Sequence, residues 1–361
     1  MSVTQQQIAD KLNISRSLVA RALRGHAEVA DSTREQIEAA ARELGYNDSS
    51  NQAARRLATL RYGRQLRTNT LAMIFPPMQS SPRHIPFYLP LIEGIETETQ
   101  KLGLDMCICL MRSDNLPRIV ETHGVDGVVT LFDSPPQIGA MRKLGIPVVT
   151  FQGHTKDTYN IDRDDHRGMY QATRHLLELG HRNIAFLGVN GETSTPVRLQ
   201  GYLDAMKEAK IAVRDEWIDT SLRLPISGSV PLCDGCNECA ACLGWETLRD
   251  KNGGSSKKHP AITAIVCHND PVAMGVIDHA WRDGWEVPRD LSVTGFDDVS
   301  GQYHFHPEVT SVHIPHEEMG AHAVRLLHQA IENDAGNEQF HHVFPTEMAI
   351  HRSTAPPLSD D

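Results

Sequence analysis

The 361-residue sequence contains no apolar run near the ~20 residues that cross a bilayer. Its opening, MSVTQQQIADKL, has no basic segment leading into an apolar stretch, so no secretory signal is expected. Together these absences point to the cytoplasm and away from the membrane. Thiols stay reduced there, so the seven cysteines are not expected to form a disulfide framework. The phosphate loop, the dinucleotide glycine fingerprint, the nucleophile elbow and HExxH are all missing, and an enzyme is not expected. What remains is ordinary globular composition, 40% hydrophobic and 22% charged, in a chain long enough for more than one domain.

Positive charge is scarce overall, with a net of -11, but it is not scarce everywhere. Residues 1–70 hold 11 Lys/Arg against 7 Asp/Glu, whereas the remainder holds 24 against 39. A basic head on an acidic body suits a protein whose head alone meets a polyanion.

The head, residues 1–46, reads as three short helices. Thr4 and Gln7 form a capping box ahead of Ile8, Ala9 and Leu12. Asn13-Ile14 make a tight turn, and Ser15 caps a second helix that runs through Arg24 to Gly25. Ser32 and Glu35 read as a second capping box, opening a third helix with Ile37, Ala40, Ala41 and Leu44 inward. This is the pattern of a helix-turn-helix unit. If helix two packs by Leu18, Val19, Ala22 and Leu23, its other face presents Arg16, Ser17, Arg21 and Arg24. Arginine suits guanine edges or phosphate in double-stranded DNA, and such residues sit early on recognition helices. The bland alternative is a solvated face on a small bundle.

The stretch IADKLNISRSLVARALRGHAEVADSTREQIEAAARELGY resembles the DNA-binding head of the lactose-repressor (LacI/GalR) family of bacterial transcription regulators. The resemblance implies that Arg16, Ser17 and Arg21 read the major groove of operator DNA and that Thr4 touches phosphate. It implies a hinge over residues 47–70, where Ala54-Arg55-Arg56-Leu57 matches the family's Ala-Arg-x-Leu helix and Leu57 would be the minor-groove wedge. The chain departs from the family by lacking the Pro-Asn turn at Asn47-Asp48-Ser49-Ser50 and by a longer link through Arg61, Arg64 and Arg67.

Residues 71–355 alternate short apolar runs with helical segments, which implies parallel sheets with right-handed crossovers in two lobes. Strands are expected at Leu71-Phe75, Asp105-Leu110, Gly127-Leu131, Val148-Phe151, Ile184-Leu187, Ile262-Cys267 and Leu291-Gly295, with helices around Leu89-Leu102, His166-Leu179, Val197-Ala209, Pro271-Asp283 and Glu317-Glu332. The family resemblance continues here, through Pro86-Phe87-Tyr88, Gly94-Ile95-Glu96, Arg198-Leu199-Gln200-Gly201-Tyr202, Asn269-Asp270 and Gly295-Phe296-Asp297-Asp298. It implies the α/β two-lobed, periplasmic-binding-protein-like fold and three crossings between lobes. Those crossings are expected near 158, 299 and 336, giving lobe 1 over 71–158 and 299–335 and lobe 2 over 159–298 and 336–355.

By motif position, Phe87 and Tyr88 are expected as an aromatic wall for a small-molecule effector, a sugar or sugar derivative. Arg198, Asn269 and Asp297 are expected to hydrogen-bond it, and Asp164 and Ser194 follow from looser motifs. A carboxylate, a guanidinium and an amide suit a polyol, and unpaired they are costly to bury. Helix capping or mutual pairing is the plain alternative for Arg198 and Asp297, and core packing for Phe87 and Tyr88. A regulator reading a palindromic site is expected as a homodimer. The short tail Ala355–Asp361 leaves no room for a tetramerising coil.

Cys233, Cys236, Cys239 and Cys242 stand outside this resemblance. Their C-x2-C-x2-C-x2-C spacing departs from the ferredoxin run, and four zinc ligands from so short a segment strain the geometry. Zinc or iron–sulfur binding, and with it a metal- or redox-sensing regulator, is one reading. Packing of small thiols along a helix is the other, and no cofactor is then required.

Overall fold

The structure, a computed structural model, describes residues 4–23, 29–44, 67–75, 85–111, 115–131, 134–151, 158–222, 262–332 and 340–358, apart from the side chains of Asp31, Arg42, Ile85, Pro86 and Phe87. The chain forms two units, residues 1–68 and 69–361. The expected hinge, including Leu57, and the cysteine run 233–242 lie outside the described residues.

The first unit holds α1 (Gln5–Leu12), α2 (Arg16–Leu23) and α3 (Asp31–Leu44). The Thr4–Gln7 capping box forms, and Asn13 ends α1 in the left-handed conformation at φ 52°. Ser15 Oγ accepts from the Leu18 amide at 3.2 Å, capping α2. The start of α3 differs from expectation. The Ala30 carbonyl accepts from the Thr33 and Arg34 amides, so the helix opens one residue before Ser32, and Ser32 lies within it. Ile8, Val19, Ala22 and Ile37 close a small core, with Leu12, Leu18 and Leu44 packed at its edge.

The second unit contains two six-stranded sheets. The first is built from β1 (Thr70–Phe75), β2 (Asp105–Leu110), β3 (Gly127–Thr130), β4 (Val148–Phe151), β5 (Tyr159–Arg163) and β11 (Phe340–Phe344), in the order β11-β5-β4-β3-β1-β2. Its pairs are all parallel. Helices α4 (Ile85–Lys101), α5 (Arg118–Glu121), α6 (Pro135–Lys143) and α10 (His316–Glu332) belong to this lobe. The second sheet comprises β6 (Ile184–Val189), β7 (Ile218–Leu222), β8 (Ala264–Cys267), β9 (Ser292–Asp297), β10 (Thr310–His313) and β12 (Glu347–Ala349), in the order β12-β10-β9-β8-β6-β7. Only β12 runs antiparallel there, against β10. Helices α7 (Asp165–Glu178), α8 (Thr195–Glu208) and α9 (Asp270–Arg282) belong to this second lobe. Both sheets carry fully buried, largely apolar strands, β4 in the first and β6 in the second, as expected where helices cover both faces.

Three expectations need correction. The lobe crossings fall at Asp164, at Ile314-Pro315 and at 345–346, not near 158, 299 and 336. β5 and β11 therefore belong to lobe 1 and β10 to lobe 2. These strands are short and mixed in character, so their pairing rather than their hydropathy sets their place. Asp164 N donates to Phe344 O at 3.0 Å, so two crossings run side by side. Finally, α4 starts at Ile85, a turn before the expected Leu89. Pro90 sits inside the helix, and the earlier start puts Phe87 and Tyr88 on its first turn.

The helix pair α4–α10 is fixed by glycine. A Cβ on Gly94 would lie 1.9 Å from the Glu317 carbonyl oxygen, and one on Gly320 would lie 2.4 Å from that of Leu91. The two backbones meet directly, which fixes α10, and with it His316, against the first lobe.

Candidate functional site

In the first unit, Val19 and Ala22 are buried and turn α2 inward. Arg16, Ser17 and Arg21 are thereby exposed along its outer side. Ser17 Oγ lies 3.0 Å from Ser15 Oγ, which ties it to the cap. Thr4 is exposed and engaged in the capping box of α1. Arg24 lies outside the described residues. The surface is thus a short helix with two cations and a hydroxyl on a rigid three-helix base, able to donate to base edges and phosphate.

In the second unit, polar side chains gather at the carboxyl ends of β6, β8 and β9, where ligands bind in open parallel sheets. Arg198, from α8, is 1% exposed. Its Nε and Nη2 each lie 2.8 Å from Asp165 Oδ1, and Nη1 donates to the His268 carbonyl. The Phe296 ring lies beneath it, 3.7 Å from Cζ. Asp297 Oδ1, at the end of β9, is 3.9 Å from Nη2, an ion pair without a hydrogen bond. Arg163, ending β5 in lobe 1, reaches the same Asp165 oxygen from Nε at 3.0 Å.

These groups set one another's charge. Burial alone would raise the Asp165 carboxyl, but Arg163 and Arg198 outweigh it and hold it below the ordinary value. Burial lifts Asp297 to about 6, against the opposing pull of Arg198 and Arg163. Burial and then Arg163 lower His316 to about 3, and burial and then Arg198 lower His268, so both imidazoles are neutral. Burial, then the charge of Asp297, raises the Tyr88 hydroxyl. Tyr88 from lobe 1 thus feels the charge of Asp297 from lobe 2, while His316 feels that of Arg163.

The Asp297 backbone is strained, at φ +98°, and Asp298 follows at φ +56°. Such non-glycine positions cost on the order of 1–3 kcal/mol and persist only when neighbours hold them. The neighbours here are specific. Asp270 Oδ2 accepts from the Val299 and Ser300 amides at 2.7 and 3.2 Å. Ser311 Oγ accepts from the Asp298 amide at 3.0 Å, and the Asp298 carboxylate bridges His313 at 3.0 Å and His351 at 2.9 Å.

The expected residues divide accordingly. Arg198 and Asp297 come together. Ser194 is buried one turn before Arg198, and its hydroxyl makes no capping bond. Asn269 and Asp164 serve as helix caps, accepting from the Val272 amide at 3.1 Å and the Arg167 amide at 2.9 Å. Their side-chain oxygens are thus used in capping, although the Asn269 amide nitrogen keeps its donors. Tyr88 packs edge-on against Phe75 at 5.3 Å, and the Phe87 side chain lies outside the described residues. Sequence reasoning missed Arg163, Asp165, His268 and His316. A cavity of about 420 Å³ shares Asp297 and His316 with this cluster and runs beside Gly94, Thr97 and Lys101 of α4, away from Arg198. Among the described residues no group of three His, Cys, Asp or Glu is placed to hold a metal, and no helix is long and apolar enough to cross a membrane.

Comparison with known proteins agrees with this architecture. Residues 4–49 match the model for bacterial regulatory proteins of the lacI family, and residues 69–222 match that for periplasmic binding proteins and the sugar binding domain of the LacI family. Residues 173–354 match the periplasmic binding protein-like domain, which alone spans half of the chain. The HTH-type transcriptional repressor PurR of Proteus mirabilis is 29% identical over 367 residues, covering 98% of this chain and 97% of that protein. The lac repressor dimer bound to operator and the anti-inducer ONPF superposes with a TM-score of 0.70 at 19% identity, over 98% of this chain and 100% of that one. The complex of the transcriptional regulator CelR with cellobiose superposes with a TM-score of 0.63 at 23% identity, over 97% and 99%. With a helix-turn-helix head and a two-lobed parallel α/β body, the chain belongs to the lacI family of bacterial regulatory proteins.

Proposed function

We propose that this protein is a cytoplasmic, operator-binding transcription repressor whose DNA affinity is set by a small polar molecule held between Tyr88, Arg198 and Asp297. The observation that carries the DNA half is the exposed Arg16–Ser17–Arg21 row on a helix whose opposite side is locked in a core. Such a row docks in a major groove, and the chain matches the transcriptional repressor PurR of Proteus mirabilis and the operator-bound lac repressor along nearly its whole length. The effector half rests on Asp297, a buried acceptor beside a guanidinium and an aromatic ring. The hydroxyls of a sugar, as in the cellobiose complex of CelR, or the N–H groups of a nucleobase would complete it.

A homodimer suits a two-fold operator. β2 is the edge of the first sheet, and Ile108 and Leu110 on it are exposed, a surface suited to covering by a second copy. The test is selection of random duplexes by the full chain, followed by thermal-shift screening with monosaccharides, disaccharides and nucleobases. Enrichment of a two-fold-symmetric duplex and a ligand that raises the melting temperature are expected. Enrichment of no sequence over random DNA would overturn the proposal.

A further inference from the structure

We propose that the cleft selects an uncharged, donor-rich effector over an anionic one, and that Asp165 is the positioning residue that sets this selection. The inference rests on the effector reading above and narrows it.

Two buried guanidiniums in one cleft would ordinarily make an anion site, since arginine matches phosphate and carboxylate bidentately. Here that capacity is already used. One oxygen of Asp165 lies 3.0 Å from Arg163 Nε and 2.8 Å from Arg198 Nε and Nη2. A single internal carboxylate thus takes the place an anionic ligand would occupy. With Nη1 committed to the His268 carbonyl and Nε to Asp165, two Arg198 N–H groups are hydrogen-bonded and Nη2 is ion-paired with the same Asp165 oxygen. Adding Asp297 at 3.9 Å from Arg198 brings the formal charge of the four groups to zero.

The surroundings do not restore positive charge. His268 and His316 are neutral, for the reasons given above. Glu192 adds negative charge to the field felt by Asp297 and Tyr88. Lys101, in the flanking cavity, is paired with Glu98 at 3.2 Å.

Asp297 supplies the second half of the argument. It is 4% exposed, and among the described residues no hydrogen bond reaches its carboxylate. Buried acceptors are rarely left without a donor, and this one is held in a strained backbone conformation by the Asp270 and Asp298 contacts. A carboxylate accepts only, so the missing partner is an O–H or N–H group. Phosphate or carboxylate would bring further acceptors and like charge to the same oxygens.

The test uses the full chain and matched ligand pairs in calorimetry and thermal shift: glucose with glucose 6-phosphate and glucuronate, ribose with ribose 5-phosphate, and adenine with its nucleoside monophosphate. For the pair that binds, the uncharged member is expected to bind at least ~100-fold more tightly than its anionic counterpart. Asp165→Asn releases both guanidiniums and narrows that ratio at least ~10-fold by strengthening the anionic member, a change that general loss of structure does not produce. Should Asp165→Asn fail to fold, Asp297→Asn keeps the shape and removes the like charge, and it must narrow the same ratio. Preference of the unaltered chain for the anionic member overturns the inference and leaves the effector reading standing. An unchanged ratio in the variant that folds overturns the role of the carboxylates. Absence of binding by every ligand of both classes removes the effector reading, and this inference with it.

Discussion

The molecule places arginine in two opposite settings. On α2, Arg16 and Arg21 are exposed on the outer side of a helix whose inner side is core. In the body, Arg163 and Arg198 are buried against Asp165 and Asp297. The first setting presents charge at the surface, where water screens it cheaply until DNA displaces that water. The second consumes charge internally and keeps only directed N–H groups, because an unmatched ion in that interior is too costly. One residue type thus serves two recognitions, and exposure or burial decides which.

That contrast can be broken most strongly at Arg198. Arg198→Ala leaves Asp297 without its ion-pair partner and Asp165 with Arg163 alone, and urea unfolding should show a loss of about 3–5 kcal/mol together with loss of ligand response. A loss under 1 kcal/mol would mean that the buried network does not hold the lobe. Next in size is a pH effect at Asp297. In the folded chain its carboxyl keeps a proton up to about 6, whereas its ordinary value is 3.8. Between those values the folded state binds more protons than the unfolded one, so stability falls as pH rises through that window, by on the order of 3 kcal/mol. Asp297→Asn should flatten this slope in melts taken from pH 4 to 7, and an identical slope in the variant would place the titration elsewhere.

Smaller effects belong to the head. Arg16→Ala and Arg21→Ala should each weaken binding to a selected duplex by about 1–3 kcal/mol while leaving random-duplex binding and the head's melting temperature nearly unchanged. Unfolding of the head by either change would show that these cations are structural, and the contrast with Arg198 would fail. The smallest effect is in the salt dependence. Loss of one phosphate-contacting arginine lowers the logarithmic salt slope by ~1, measured by titrating duplex at several salt concentrations.

Much of the fold was legible because its signals are local. The Thr4–Gln7 box, the Asn13 turn and the Val19–Ala22 stripe each lie within a few residues, and the strand cores β1, β4 and β6 are plain apolar runs. The crossings were not legible, because β5 (YNIDR) and β10 (TSVH) are short and mixed, and only sheet pairing assigns them to a lobe. The same limit applies to the cleft. Arg198 and Asp297 stand in recognisable motifs, but Asp165 sits in the run DRDDHR, where any carboxylate reads as a cap for the coming helix. Asp164 takes that role, and only the packing of α7 on α8 brings Asp165 to Arg198, 33 positions later. His316 was hidden for a related reason, since its burial depends on α10 docking through Gly94 and Gly320.

Effector control requires that binding in the cleft be felt at the α2 surface. Fluorescence anisotropy of a selected duplex, titrated with the full chain with and without saturating uncharged ligand, tests it directly. The account predicts a change in duplex affinity of ~10-fold or more that vanishes in Arg198→Ala. A ligand that saturates the body, by calorimetry, while duplex affinity stays the same would contradict it.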